Sequence, residues 1–406
     1  MTGDLIVKNY KRFGGTNPYT ASIRNVAAQL GLIAPHTKEP FSEAMMLGIG
    51  GGIGAGYMMI DYKVISAMVM IGTRHLWHSD NVEFMRRICA RTGLTPTIKE
   101  TTGKRTAQSN LRTAIEEGRP ALAWIDLASI PYASLPEEYR RSFYHMVVVV
   151  GLDDENEVAY LDDRAPAPMA VSQANLAEAR AAIKNYKNRI MTVERGDGPI
   201  DLKSAVEDGI RDCYKGLLKP RIKTFGLESL TQWARLVANS KDKRGWPKTF
   251  EDPAELYSTL TWVYHWIETG GTGGGALRGM YADFLDEAAI VLDKADLGEV
   301  SARYRETSRL WSALAVAALP DSIPLFRETR ELGLKKHDLF QIQGEAGLPE
   351  IKKINQRLLA IESEIAGSPQ LNSDETTALL SDLREQVLSV YAAEAEAAHK
   401  LQELVP

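Results

Sequence analysis

Cysteine is nearly missing from this chain: Cys89 and Cys213 are its only two, and both fall in helical patterns far apart in sequence. That excludes a disulfide framework and fits a reducing compartment. No stretch gathers enough lysine and arginine for a nucleic-acid footprint, and the formal net charge is -5, so DNA and RNA are not expected partners. The apolar runs are too short or too interrupted to span a bilayer. The opening Met1-Thr2-Gly3-Asp4-Leu5 lacks the apolar segment of a secretory signal. A cytoplasmic location is the expectation. Metal ligands are sparse as well: the segment His75-Leu76-Trp77-His78-Ser79-Asp80 offers two histidines and one carboxylate with no third histidine at a useful spacing, so no metal is expected. The glycine run 48–56 lacks the Gly-Lys-Ser/Thr ending of a phosphate loop. No cofactor is implied.

What is present is the composition of a soluble globular protein, 44% apolar and 25% charged over 406 residues, too long for one ordinary core. Residues 1–198 mix helices with β-rich runs and are expected to form an α+β domain. Helices are predicted up to Gly31, over 42–47, over 80–91 with Val82, Phe84, Met85 and Ile88 on one face, and over 106–117, closed by Gly118 and Pro120. Strands are predicted within 57–71, over 120–127, and as a hairpin of 144–151 and 157–161 around the acidic turn Asp153-Asp154-Glu155-Asn156. After the segment Glu194-Arg195-Gly196-Asp197-Gly198-Pro199 the β signal fades. Residues 199–349 are expected to form an all-α domain. Residues 350–406 read as a helical hairpin extension of it, broken at Gly367-Ser368-Pro369, whose charged face suits solvent better than a partner.

One further absence concerns chemistry. A nucleophile at a helix tip, a histidine starting a strand and an aspartate on the next strand make the cysteine-protease type of triad. His145 opens the run Met146-Val147-Val148-Val149-Val150, and Asp163 follows the hairpin. At the helix tip stands Asn17-Pro18, with no thiol. Thr16 or Asn17 can cap that helix, and Pro18 suits its first position.

The chain resembles the butirosin biosynthesis protein H family. The likeness rests on Ser42-Glu43 with the glycine run 47–54, on Glu117-Gly118-Arg119-Pro120 leading to Trp124-Ile125-Asp126-Leu127 and Pro131-Tyr132, and on 145–151 with Asp163-Arg164-Ala165. Downstream it rests on Phe225-Gly226-Leu227 with Trp233, on Arg278 with Tyr281 and Phe284-Leu285-Asp286-Glu287-Ala288, and on Trp311 with Leu319-Pro320. The resemblance implies a bacterial protein with a papain-like domain followed by a helical domain. It also implies acyl transfer from a carrier protein through a cysteine in antibiotic biosynthesis. In the family pattern a His-Cys pair precedes the first helix, where this chain has Asn17-Pro18.

The expected catalytic pair is therefore His145 with Asp163, acting on an amine or hydroxyl of the substrate itself. Asp162 should face the other side of its strand. Free N–H groups at the helix tip would offer an anion hole, with Asn17 adding a donor; Thr20 and Ser22 are weaker substitutes for the nucleophile. Glu43 and Asp61, flanking the glycine run, would orient a substrate amine. Gly51 and Tyr57 join that binding set, Asp126 would lie on the pocket rim, and Arg278 would meet a ligand or pair with Asp283 or Asp286. The preferred function is a non-covalent cyclase or transferase working on an aminoacyl or acyl intermediate, with a small-molecule substrate and a carrier protein as partners. Two alternatives stand beside it. One is a scaffold that binds a partner, or dimerises, through its helical domain. The other is an acyltransferase taking its acyl group from a carrier protein through Cys89 or Cys213.

Overall fold

The structure, a computed structural model, describes residues 5–62, 65–77 and 81–406, apart from the side chains of residues 61–67 and of Glu138. In chain order its strands are β1 (Leu5–Ile6), β2 (Ile53–Tyr62), β3 (Ile65–Arg74), β4 (Leu94–Lys99), β5 (Ala121–Asp126), β6 (Tyr144–Asp153), β7 (Val158–Asp162), β8 (Met169–Ser172) and β9 (Ile190–Arg195). The helices begin with α1 (Pro18–Gln29), α2 (Glu43–Ile49), α3 (Val82–Thr92), α4 (Lys104–Glu116) and α5 (Gln173–Ala182). They continue with α6 (Leu202–Leu218), α7 (Leu227–Val237), α8 (Trp246–Thr249), α9 (Pro253–Tyr264) and α10 (Arg278–Leu292). The last are α11 (Leu297–Ala318), α12 (Pro324–Gln343), α13 (Leu348–Gly367) and α14 (Ser373–Leu404). The chain is thus mixed α and β, with a sheet-bearing N-terminal region and a helical C-terminal region.

Two compact units interleave along the chain: Met1–Met46, Met85–Asp201 and Asp338–Lys352 form one, and Leu47–Phe84, Leu202–His337 and Lys353–Pro406 the other. The first unit holds a seven-stranded antiparallel sheet in the order β4-β9-β5-β6-β7-β8, with β1 paired to β6. Its centre is the run Met146–Val150 beside Ala121–Ile125, all at most 2% exposed; β-branched valines suit that pleated, covered position. Helices α1, α4 and α5 pack against these strands. Asn17 caps α1 by accepting from Tyr19 N at 3.1 Å, and Pro18 takes the first turn, as the sequence leads one to expect.

Among the described residues the second unit is helical apart from the antiparallel hairpin β2–β3, in which Tyr57 faces Ile71 and Met59 faces Val69. Two expectations are corrected here. Residues 47–84 cluster with the helices and not with the sheet, because Tyr57, Met68, Val69 and Ile71 bury their apolar surface where α7 packs on β2 and α9 on β3. The terminal hairpin is not a solvated pair: Leu383, Val387, Val390 and Leu401 of α14 are wholly buried, with α14 packed on α6, α7 and α11. Burying that stripe stabilises the unit by roughly 1.5–3 kcal/mol per large aliphatic side chain.

Candidate active site

His145 is the second residue of β6, opposite Ile125 in the ladder with β5. Its Nε2 meets Asp163 Oδ1 at 2.7 Å. Tyr132 donates its hydroxyl to Asp163 Oδ2 at 2.8 Å, and Arg164 Nε donates to Oδ1 at 3.2 Å. Asp163 is 2% exposed. Burial alone raises its pKa, but the charges of His145 and Arg164, with the His145 and Tyr132 hydrogen bonds, outweigh that and hold the carboxyl well below the usual range. An ionised Asp163 fixes the imidazole with Nε2 as the donor and leaves Nδ1 on the far side of the ring. His145 as a whole is 5% exposed. Tyr132 is held well above its usual pKa, first by burial and then by Asp163, so it stays a donor.

Asp162 points elsewhere. Tyr10 and Asn25, the latter on α1, donate to its Oδ2 at 2.6 and 2.9 Å, while its buried Oδ1 has no partner. Burial pushes its pKa up to about 6 against those two hydrogen bonds. It therefore ties α1 to β7 and belongs to the framework.

The tip of α1 differs from expectation. A carboxylate already sits beside it: Glu43 takes the two amides that precede the helix and a hydroxyl of its first turn, while Asn17 Oδ1 takes Tyr19 N. Glu43 accepts from Thr16 N at 3.0 Å, from Asn17 N at 2.8 Å and from Thr20 Oγ1 at 2.8 Å, with Arg24 at 3.5 Å. A carboxylate is the ion a helix N-terminus favours. Thr20 is fully buried and Ser22 5% exposed, so neither hydroxyl stands where a substitute nucleophile is needed. Gly15 allows this arrangement: at φ 133°, a Cβ there would lie 2.4 Å from that of Ala21.

A segment distant in sequence spans these two groups. Gln341 Nε2 donates to Gly15 O at 3.1 Å. Next to it, Phe340 lies 5.8 Å from the Tyr132 ring and 5.8 Å from the Arg164 guanidinium. Two consecutive residues thus reach both the loop before α1 and the partners of Asp163, so the helix tip and the His145–Asp163 pair occupy one neighbourhood of the first unit. Nothing local in the sequence signals this, since the contact joins residues more than 320 apart. Tyr132 and Arg164 were visible only as part of the family pattern.

The other expected site residues lie elsewhere. Asp126 is fully buried and spent on its own loop, accepting from Ser129 Oγ at 2.7 Å and Phe143 N at 3.3 Å; it is not on a rim. Gly51, Tyr57, Asp61 and Arg278 belong to the second unit. Gly51, at φ 116°, lets His75 come close. Tyr57 accepts from Trp246 Nε1 at 2.8 Å and stacks on Trp233. The side chain of Asp61 lies outside the described residues, as do His78, Ser79 and Asp80. Arg278 pairs with neither Asp283 nor Asp286, which Arg305 takes. It is wholly buried, with Nε on Glu394 Oε1 at 2.5 Å and its other nitrogens on Thr73, Ala276 and Gly54 carbonyls. Cys89 and Cys213 are both fully buried, and burial pushes both thiols up to about 12, so neither supplies a thiolate for acyl transfer. Among the described residues, no group of three or more His, Cys, Asp and Glu is placed to hold a metal ion, and no helix is long and apolar enough to cross a membrane.

Fold and site together define a sheet-and-helix domain with a His–Asp pair beside a helix tip that carries no thiol. Residues 18–164 match the N-terminal domain of butirosin biosynthesis protein H, and residues 174–325 match a domain of unknown function, DUF4872. With that pair in that order, the chain belongs to the butirosin biosynthesis protein H-like family. No curated protein matches it.

Proposed function

We propose that the first unit is a papain-like domain working without covalent catalysis, and that His145 is its general base. The observation supporting this most is the chain Tyr132–Asp163–His145, in which a fully buried carboxylate orients an imidazole. In this reading His145 Nδ1 takes a proton from a substrate amine as its nitrogen bonds to an acyl carbon. The acyl–oxygen or acyl–sulfur bond then breaks, and the proton passes to the departing group. Ring closure and group transfer both fit that step. The family's name motivates the setting: antibiotic biosynthesis in a bacterial cytoplasm, with the acyl group on a carrier protein. The ring's low exposure means that substrate entry requires the site to open.

A second reading, a scaffold without catalysis, draws support from Glu43, which sits beside the helix tip that an oxyanion would need. Complementation separates the two. A strain lacking this gene is supplied with the wild-type, H145A or D163N protein, each checked for folding, and its pathway product is measured. General-base catalysis contributes about 10²–10⁴-fold, so both variants should lose product on that scale. Undiminished product with either would reject the enzymatic reading and leave the scaffold.

A further inference from the structure

Away from His145, the first unit contains a cavity of about 480 Å³ between α4, α5 and the loop after β5. Four cationic side chains, Lys104, Arg140, Arg141 and Arg180, line it against one carboxylate, Glu178. Glu178 is already paired with Arg140 at 2.8 Å.

Arg180 is the unusual member. It is 2% exposed, yet its Nη2 meets only the carbonyls of Ala107 and Asn188, at 3.3 and 3.0 Å, and its Nε has no partner. Burial lowers its pKa to about 10 with no carboxylate opposing the shift, so it remains charged at neutral pH. A buried guanidinium normally has a counter-ion, because carbonyl dipoles alone do not offset its lost hydration.

Helix α4 starts at the same cavity with a matching imbalance. Its N-cap is Gly103, which gives no side-chain cap, and its first turn holds no acid. It begins instead with Lys104 and Arg105, positive charges at the positive end of a helix dipole. An anion seated there would relieve both strains. The floor is set for an organic portion: Ala174, Ala177 and Ala181 form one small-residue face of α5 along the lining. The volume is that of a small-molecule site and exceeds what a bare inorganic ion fills.

We infer that this cavity binds a small phosphate monoester, its dianionic group held by the Arg180 guanidinium and by Lys104 on the first turn of α4, and its organic part against the α5 alanines. This does not rest on the role given to His145. Arginine supplies the planar fork that phosphate oxygens accept, and Arg140 and Arg141, which are more exposed, would draw the ligand in.

Titration calorimetry and thermal shift of the full chain at low salt, with phenyl phosphate, inorganic phosphate and neutral phenol as probes, test this. Phenyl phosphate should bind, inorganic phosphate should bind more weakly, and phenol should not. R180M keeps the side-chain volume while removing the charge, and should abolish both the heat and the upward shift in melting temperature. K104A, at a more accessible position, should weaken phenyl phosphate at least tenfold and carries the test if R180M does not fold. Absence of phosphate-ester binding to the wild type would overturn the inference. So would equal binding by wild type and K104A, or binding that phenol reproduces.

Discussion

Glu43 acts as a built-in anion for α1, and its removal has a calculable consequence. In E43A, Thr16 N, Asn17 N and the Thr20 hydroxyl lose their shared acceptor, and Arg24 loses its carboxylate. A hydrogen bond to a charged group is worth about 1.5–3 kcal/mol, and the helix-dipole contribution of an anion at the first turn is about 0.3–1 kcal/mol. Thr20 is fully buried, so water replaces its lost bond poorly, whereas the loop amides are partly reachable. Allowing for that, the local cost is about 3 kcal/mol, which is over a hundredfold in an opening equilibrium. E43Q retains one oxygen and the shape, and should cost about 1 kcal/mol. The assay is hydrogen exchange read by mass spectrometry on peptides covering Tyr19–Gln29, which reports the opening of this helix and not of the whole chain. Acetate added to E43A should restore much of the protection by taking the vacated place. Exchange in E43A within threefold of wild type, or E43Q as fast as E43A, would show that Glu43 does not hold α1.

Asp162 makes stability depend on pH in the direction opposite to a salt-bridged acid. Its folded pKa, about 6, lies above the ordinary aspartate value of about 4. Its contribution is therefore fully present below about pH 4 and lost as pH rises through 6, leaving a cost of about 3 kcal/mol at high pH. D162N removes that dependence, so it should gain stability on wild type as pH rises from about 4 to 7; urea-stability curves that stay parallel over that range would contradict it. R278M leaves Glu394 buried without its cation and should destabilise the second unit by about 3–5 kcal/mol, read from the tryptophan fluorescence of denaturant unfolding; a change under 1 kcal/mol would show that the pair is not a stabilising node. Cys89 and Cys213 should resist alkylation by iodoacetamide at pH 8 in the folded protein, and C89A should retain the complementing activity of wild type. Rapid labelling of either thiol, or loss of product in C89A, would revive thiol chemistry.

The parts legible in sequence were those with local signals. Asn17 and Pro18 mark the start of α1 because capping and a missing donor are properties of two adjacent residues. The hairpin of β6 and β7 follows from its valine run and acidic turn, and it brings His145 to Asp163. Strand β4 has no clear signal in the sequence, since Pro96 interrupts it; Pro96 is tolerated there because β4 is an edge strand paired to β9. The assignment of β2–β3 and α14 went astray for a different reason. Periodicity tells that a face is apolar but not what covers it, and the helices that cover these faces lie far from them in sequence. Glu43 shows the same limit at the site: the helix it neutralises begins 25 residues earlier, across an intervening loop.

A base oriented by Asp163 holds its proton on one particular nitrogen of the His145 ring. Nitrogen-15 NMR of the histidine-labelled protein, with His145 assigned by comparison with H145Q, reports which ring nitrogen carries the proton. A proton held at Nε2 and shared with Asp163, and a shift in tautomer populations in D163N, are the predicted results. A proton resting on Nδ1 in the wild type, or a spectrum unmoved by D163N, would contradict a base oriented by Asp163.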